Sequence, residues 1–155
     1  MKLYLMRHGE AAFKEDDPQQ GLTHQGKLAV ENLAKKLVHK FSHQSTEQGM
    51  NIEQVFHSEK TRAQQTAEIM TSIIAPEVIP LCRENLKPND DPGNLLPDIK
   101  NWTRDTLITS HLPFIPNLLT LLTKKQQTVR FDPGTVVCLV NEGLGWYLEW
   151  VERPE

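Results

Sequence analysis

The sequence predicts an α/β protein in which helices cover both faces of a mostly parallel central sheet. Short apolar runs that suit buried strands alternate with segments in which apolar residues recur every three or four positions, as on one helix face. The predicted order is strand, helix, strand, helix, strand, helix, and then two strands joined by a turn. Such an alternation is typical of a three-layer α/β/α sandwich.

Length and composition predict one globular domain that spans residues 1–155, of which 38% are hydrophobic and 24% charged. The formal net charge of -3 gives no general attraction to nucleic acid or to an anionic membrane, so we expect neither as a partner. The N-terminus lacks the apolar core of a signal peptide, and no run is long enough for a membrane helix. We therefore expect a cytoplasmic monomer, with Cys82 and Cys138 as buried free thiols.

Two strand–helix pairs are predicted in the first half of the chain. Residues 2–6 and 54–57 are short apolar runs that suit buried strands. The first helix begins near Thr23, and Pro76 ends the second. Residues 42–51 are polar and predict an exposed loop. The apolar faces of the two helices are expected to contain Val30, Leu33, Ala34, Leu37, Val38 and Phe41 in the first, and Ala63, Thr66, Ala67, Met70, Ile73 and Ile74 in the second.

In the second half of the chain, the first elements are only weakly defined by the sequence, whereas the later ones follow clear patterns. A short strand is expected at 78–81, a loop at 89–93 and a weak helix at 95–103. A third buried strand at 106–109 leads into a helix whose first turn suits Pro113. The last two strands are expected at 135–140 and 146–151, and a turn at 141–145 joins them.

Three predicted strands end in side chains that suit an anion. Arg7 and His8 follow the first strand, Arg62 lies one turn into the helix after the second, and His111 follows the third. Because ligands of open α/β sheets bind at the carboxyl ends of the strands, we expect these four residues to meet. Their positive charges would repel one another unless a bound phosphoryl group neutralised them. Gly9 would let the backbone approach that group without a Cβ in the way.

Four motifs in sequence order resemble those of the histidine phosphatase superfamily, the group that includes the phosphoglycerate mutases. The first is Arg7-His8-Gly9 after an N-terminal strand, and the second is Leu22-Thr23 followed by Gly26. The third is SEKTRAQQT, residues 58–66. The fourth, SHLP at 110–113, resembles the second-histidine motif in the form found in phosphohistidine phosphatases of the SixA type.

The resemblance implies a phosphoglycerate mutase-like fold without a large cap, and a role for each matching residue. His8 would attack phosphorus and form a phosphohistidine that water hydrolyses, while its other ring nitrogen donates to a backbone carbonyl. Arg7 and Arg62 would bind the non-bridging oxygens, and His111 would help to stabilise their charge. No metal or cofactor is implied. The resemblance assigns substrate contacts to Gly9, Thr23, Ser58 and Leu112.

The general acid of the larger enzymes in this family has no clear match in the sequence. Glu10, Glu84, Asp90 and Asp91 are the candidates, although Glu10 could also be a salt-bridge partner of an arginine. A phosphohistidine substrate demands less of an acid, because its imidazole leaves more readily than an alkoxide. The missing match for a general acid and the short chain together favour a phosphorylated histidine phosphotransfer domain as the partner.

Other interpretations of the same residues and of the whole chain stay open at this point. Thr23 could cap a helix, His111 could do the same, and Arg62 could pair with Glu59 or Glu68. The chain could hydrolyse a small phosphate ester with the same nucleophile. It could also be a catalytically idle module that binds phosphoproteins.

Overall fold

The computed structural model describes residues 1–42, 50–125 and 128–154, and it contains a six-stranded sheet with helices on both faces. The strands are β1 (Lys2–Arg7), β2 (Gln54–His57), β3 (Leu81–Cys82), β4 (Thr106–Ser110), β5 (Val136–Asn141) and β6 (Trp146–Glu152). The helices are α1 (His24–Ser42), α2 (Thr61–Ile74), α3 (Leu96–Asn101) and α4 (Phe114–Leu122). The predicted α/β/α class is confirmed.

The central sheet has the strand order β3-β2-β4-β1-β5-β6 and is mostly parallel, as predicted. β1, β2, β3 and β4 run in one direction, whereas β5 is antiparallel to both of its neighbours. In the register, Leu5 of β1 lies between Ile108 of β4 and Val137 of β5. The carboxyl ends of β1, β2 and β4 therefore lie next to one another.

The alternation of side chains along β1 divides the core between the two faces of the sheet. Tyr4 and Met6 pack with residues of α1 and α2 on one face, and Leu3 and Leu5 pack with residues of α4 on the other. All four are buried, which explains why the run is apolar throughout rather than alternating. None of the helices in the described ranges is long and apolar enough to cross a membrane.

The helix faces are confirmed except at their edges. Val38 is 38% exposed, and Ile73 and Ile74 are only partly buried, although both still pack against the core. Thr71 takes a buried position instead, because its hydroxyl donates to the Ala67 carbonyl at 3.0 Å and so satisfies its polar atom within the helix. The predicted loop at 42–51 falls largely outside the described residues.

Three boundaries in the middle of the chain were wrong. The strand expected at 78–81 is a two-residue strand at Leu81–Cys82, because Val78 donates to the Ala75 carbonyl in a turn and Pro80 has no N–H for pairing. The loop expected at 89–93 ends early in a 3₁₀ helix, Pro92–Leu95, capped by Asp91. α3 is correspondingly shorter than the predicted 95–103.

Two smaller corrections concern Pro113 and the cysteines. α4 begins at Phe114, so Pro113 occupies the N-cap position rather than the first turn. Both cysteines are free, but only Cys138 is buried. Cys82 is exposed because β3 is a short edge strand whose two residues both lie open to solvent.

Gly26 lies where the first turn of α1 packs against the loop that follows β1. A Cβ at this position would come within 2.3 Å of the Glu10 backbone oxygen, which is far inside van der Waals contact. We expect Gly26→Ala to lower the free energy of unfolding by about 1–3 kcal/mol, a typical cost of overpacking. Urea unfolding would measure the change. Gln25→Ala, on the exposed side of the same turn, is the control, and equal stabilities of the two variants would contradict the expectation.

Candidate active site

His8 begins the candidate site at the carboxyl end of β1. Its backbone N–H donates to the Ser110 carbonyl at 2.9 Å, so the residue is held against the neighbouring strand β4. Its Nδ1 lies 2.7 Å from the Gly9 carbonyl. A carbonyl only accepts, so Nδ1 must carry the proton, and Nε2 keeps a free lone pair. The backbone carbonyl that the sequence predicted as the tautomer-setting partner of His8 is therefore present.

The pKa of His8 is lowered to about 4, chiefly because burial disfavours the charged imidazole. The hydrogen bond to Gly9 opposes this effect, and the charges of Arg62 and Arg7 add to the lowering. At neutral pH the imidazole is therefore uncharged. This is the protonation state that a nitrogen nucleophile requires.

The lowered pKa of His8 predicts a loss of stability on acidification. The unfolded chain binds a proton at His8 near pH 6.5, whereas the folded chain binds it only near pH 4. Unfolding is therefore favoured as the pH falls through this window, and the effect is complete below it. We expect His8→Gln to lose less stability between pH 7 and pH 4 than the wild type, by on the order of 2 kcal/mol. Denaturant unfolding at both pH values tests this, and identical pH dependence would contradict it.

His111 lies directly after β4 and faces His8. The centroids of the two rings are 5.1 Å apart, with an angle of 59° between the ring planes. His111 is only 2% exposed, and its pKa is lowered to about 3 by burial and then by His8, Arg62, Lys60 and Arg7. Its Nε2 lies 2.6 Å from Ser58 Oγ. Within residues 1–42, 50–125 and 128–154, its buried Nδ1 has no hydrogen-bond partner.

The two predicted arginines both belong to this cluster, since their charges lower the pKa values of both histidines. Arg7 Nη1 donates to the Phe131 carbonyl at 2.8 Å, while its buried Nε has no partner in the described part of the chain. Burial lowers the pKa of both guanidinium groups. Such partly buried donors can bind an anion at little further cost in desolvation.

Arg62 does not form the surface ion pair that was its alternative interpretation. Among the ion pairs of the described residues, Glu59 pairs with Lys87 at 3.6 Å, and neither Glu59 nor Glu68 pairs with Arg62. Burial lowers the pKa of Arg62, and no carboxylate among the described residues counteracts this lowering. The guanidinium is therefore free of a competing anion within the described ranges.

Two helices start at this edge of the sheet without a capping side chain from the described residues. α2 begins two residues after Glu59 with Lys60 at its N-cap, and α4 begins after Pro113. Neither has an acidic residue in its first turn. Their backbone N–H groups and positive dipole ends therefore add to the attraction for an anion. Lys60, whose charge reaches His111, was missed by the sequence analysis although it lies within the third motif.

Thr66 and Gln65 explain why the third motif extends into α2. The Thr66 hydroxyl accepts from the Gly9 N–H at 3.0 Å and donates to the Arg62 carbonyl at 2.8 Å. Gln65 Oε1 accepts from the Leu22 N–H at 2.7 Å. These contacts tie the loop after β1 to the helix that carries Arg62. Thr66 was predicted on the core face and as the last residue of the third motif, but its hydrogen bonds were not predicted. A threonine on an otherwise apolar face is itself a signal of a buried hydrogen bond.

A second support, the loop 131–134, was also missed. Besides the Phe131 contact with Arg7, the Gly134 N–H lies 3.2 Å from the Arg7 carbonyl and 3.0 Å from the His8 carbonyl. Asp132 raises the pKa of Arg7 through its charge. Gly134 has φ +81°, a conformation that glycine adopts without strain. The loop lies more than a hundred residues from β1 in sequence, so no local pattern could reveal the contact.

The four predicted substrate contacts have different surroundings. Gly9 is buried, and a Cβ there would lie 2.8 Å from Val30 Cγ2, so packing against α1 requires this glycine. Thr23 caps α1, because its Oγ1 accepts from the Gly26 N–H at 2.8 Å. Ser58 is fully buried and bonded to His111. Leu112 is 40% exposed beside the buried His111.

The candidates for a general acid are exposed or already engaged. Glu10 accepts a hydrogen bond from the Thr23 hydroxyl at 2.8 Å. Asp90 accepts from the Lys87 N–H at 3.0 Å, and Asp91 accepts from the Gly93 N–H at 2.8 Å, so both stabilise their own loop. Glu84 is exposed and lines a polar cavity of about 240 Å³ with Glu59, Cys82, Arg83, Asn85, Lys87 and Asp90.

The basic cluster suits a tetrahedral anion better than a metal ion. In the part of the chain that the structure describes, no three histidine, cysteine, aspartate or glutamate side chains are grouped so that they could hold a metal. The four residues predicted to meet at one edge of the sheet are brought together there. Two uncharged imidazoles and two guanidinium groups lie next to helix starts that no described side chain caps, an arrangement whose donors suit an oxyanion.

Comparisons with known proteins identify the family and the fold of the chain. The sequence profile of the histidine phosphatase superfamily (branch 1) matches residues 3–84, just over half of the chain. No curated protein sequence matches.

Among solved structures, the protein histidine phosphatase SixA complexed with tungstate is similar, with a TM-score of 0.84 at 22% identity over 99% of this chain and 97% of that chain. A putative phosphohistidine phosphatase SixA from Agrobacterium tumefaciens has a TM-score of 0.79 at 18% identity, over 99% and 97%. A phosphoserine phosphatase from Entamoeba histolytica has a TM-score of 0.71 at 16% identity, over 99% and 98%. These likenesses establish the fold, and the profile match over residues 3–84 shows that the chain belongs to the histidine phosphatase superfamily.

Proposed function

We propose that this phosphatase removes the phosphoryl group from a phosphohistidine of a signalling protein, through a covalent intermediate on His8. The observation that carries the proposal is the state of His8. Its imidazole is uncharged at neutral pH, its Nδ1 donates to the Gly9 carbonyl, and its Nε2 therefore carries the lone pair. The positive charges of Arg7 and Arg62 act on the same ring. This combination suits nitrogen attack on a charged phosphoryl group.

The proposed reaction has two steps, and neither needs a metal ion. In the first, His8 Nε2 forms a bond to phosphorus while the bond from phosphorus to the substrate nitrogen breaks, and the leaving imidazole takes up a proton. Arg7, Arg62 and His111 stabilise the three non-bridging oxygens. In the second, water attacks phosphorus, the bond to His8 breaks, and inorganic phosphate and a proton are released.

The choice of a protein substrate rests on the acid candidates and on access to the site. Because Glu10, Asp90 and Asp91 hold their own loops together, a substrate whose leaving group needs little help from an acid fits best. Within the described residues, the connection from β1 to α1 carries only one isolated bridge, between Ala11 and Leu22. A connection without a helix or strand of its own suits a site that a histidine displayed on a phosphotransfer domain can reach.

The similar solved structures give support to two substrate classes. One of them is the protein histidine phosphatase SixA in complex with tungstate, a tetrahedral oxyanion like phosphate. The second candidate function is hydrolysis of a small phosphomonoester by the same nucleophile. It is favoured by the likeness to a phosphoserine phosphatase determined with 3-phosphoglyceric acid.

A substrate panel tests the proposal. The purified chain would be given a phosphohistidine phosphotransfer domain, phosphoserine, 3-phosphoglycerate and a nucleoside monophosphate at equal concentrations, with phosphate release followed over time. We expect a kcat/KM for the phosphodomain at least about tenfold above that for each ester. Efficient turnover of an ester and none of the phosphodomain would replace the proposal by the second candidate.

Trapping of the covalent intermediate distinguishes both candidate phosphatase activities from an idle phosphoprotein-binding module. Acid-labile radioactive phosphate on His8 after rapid quenching is expected for a covalent phosphatase. Binding of the phosphodomain with no adduct and no release would support the idle module instead.

The proposed setting is a cytoplasmic monomer, and the two free cysteines support a reducing compartment. Light scattering on the purified chain would test the oligomeric state.

A further inference from the structure

Ser58 is placed away from solvent, against the second histidine of the site. It is fully buried, and its Oγ lies 2.6 Å from His111 Nε2. The same Oγ accepts from the Lys60 N–H at 3.3 Å. No other hydrogen-bond partner of this hydroxyl occurs within residues 1–42, 50–125 and 128–154. These contacts raise the question of which group donates in the bond between Ser58 and His111.

The number of protons available decides the donor. The Ser58 hydroxyl has one proton, and His111 Nε2 is the one acceptor among the described residues that lies within reach of it. If Nε2 donated instead, the buried Ser58 proton would be left without an acceptor, which carries a free-energy penalty. His111 is uncharged at neutral pH, so it has one ring proton to place. The arrangement that satisfies Ser58 therefore puts that proton on Nδ1.

This tautomer leaves His111 with one unsatisfied donor in a functional position. Nδ1 is buried and has no partner in the described part of the chain. The centroid of the His111 ring lies 5.1 Å from that of the His8 ring. A phosphoryl group on His8 would therefore bring acceptor oxygens into the space beside the His111 ring. A buried donor that lacks a protein acceptor is ready to donate to an oxyanion without reorganisation.

We propose that Ser58 is a positioning residue that holds His111 in the Nδ1–H tautomer, so that His111 acts as a neutral hydrogen-bond donor to the transferring phosphoryl group. The role in phosphoryl transfer rests on the proposed function, whereas the tautomer does not. The family resemblance implies that Ser58 contacts the substrate itself. In the structure its hydroxyl is already engaged by His111 and Lys60, so it acts on the substrate only through the histidine.

Nitrogen-15 NMR of histidine-labelled protein tests the tautomer directly, because protonated and unprotonated ring nitrogens have well-separated shifts. In the wild type at pH 7 we expect His111 Nδ1 to be protonated and Nε2 to be unprotonated. Ser58→Ala should move the population toward Nε2–H. A dominant Nε2–H form in the wild type, or the same tautomer populations in Ser58→Ala, would overturn the proposal. The measurement needs no substrate, so its outcome is independent of whether the chain hydrolyses phosphohistidine.

Kinetic measurements on Ser58→Ala test the second part of the proposal, the role of His111 in phosphoryl transfer. We expect kcat of Ser58→Ala to fall about 10- to 100-fold with a small change in KM, because a donor used in the transition state becomes misaligned. Ser58→Thr keeps the hydroxyl and should restore part of the rate.

Ser110→Ala is the matched control for this experiment. Ser110 is equally buried, but its hydroxyl donates to the Leu86 carbonyl, so its loss should leave the His111 tautomer unchanged. A Ser58→Ala enzyme with unchanged kcat, or a Ser110→Ala variant with the same shift in tautomer, would show that the Ser58 contact is merely structural.

Discussion

Replacing His8 with alanine is expected to lower turnover of a phosphohistidine protein by at least about 10⁴-fold, the scale seen when a covalent nucleophile is removed. The neighbouring groups cannot replace it. His111 Nε2 is engaged by Ser58, and both arginines are donors without a lone pair. Rates of phosphate release at saturating and limiting substrate would measure the loss in kcat and in kcat/KM.

Controls for His8→Ala separate lost chemistry from lost structure. Circular dichroism and thermal unfolding should match the wild type at pH 7 closely, because the His8 backbone contacts with Ser110 and Gly134 do not use the side chain. His24→Ala changes an exposed histidine at the start of α1 and should keep full activity. A His8→Ala variant that folds and retains turnover within tenfold of the wild type would remove His8 from the mechanism.

The sequence predicted the ends of the central strands to within one residue, because burial on both faces selects short runs of apolar and β-branched side chains. Leu3 to Met6 and Thr106 to Ser110 are buried at every position, so residues just beyond them had to lie at the edge of the sheet. Once β1, β2 and β4 were recognised as parallel neighbours, the meeting of His8 with His111 followed from topology.

What the sequence could not predict depends on contacts between distant residues. Loop 131–134 reaches Arg7 and His8 across more than a hundred residues, and nothing in its local pattern marks it as part of the site. The pairing of Ser58 with His111 was missed for a similar reason, since it depends on the separation of two neighbouring strands. β3 is too short for its apolar pattern to define a boundary, and its edge position is what exposes Cys82.

Replacement of Arg62 is expected to cause the second large loss of activity. We expect Arg62→Met to lower kcat/KM by about 10²- to 10³-fold, comparable to the removal of one strong donor to a transition-state oxyanion. Arg62→Lys should recover only part of this loss, because an ammonium cannot reproduce the two parallel hydrogen bonds of a guanidinium. Inhibition by tungstate should weaken in the same order. The matched control is Arg104→Met, which removes an exposed charge at the opposite edge of the sheet.

A pH profile shows whether Arg62 acts on the reacting groups or merely supports the fold. The Arg62 charge lowers the pKa values of His8 and His111, so its removal should let both rise toward their ordinary value. The acid limb of the kcat/KM profile in Arg62→Met should therefore move to higher pH, since His8 becomes protonated, and unable to attack, earlier in a titration. A variant that lost activity without this shift would place Arg62 away from the imidazoles. Since β2 and α2 deliver Arg62 to the site, that result would also break the link between sheet topology and chemistry on which the mechanism depends.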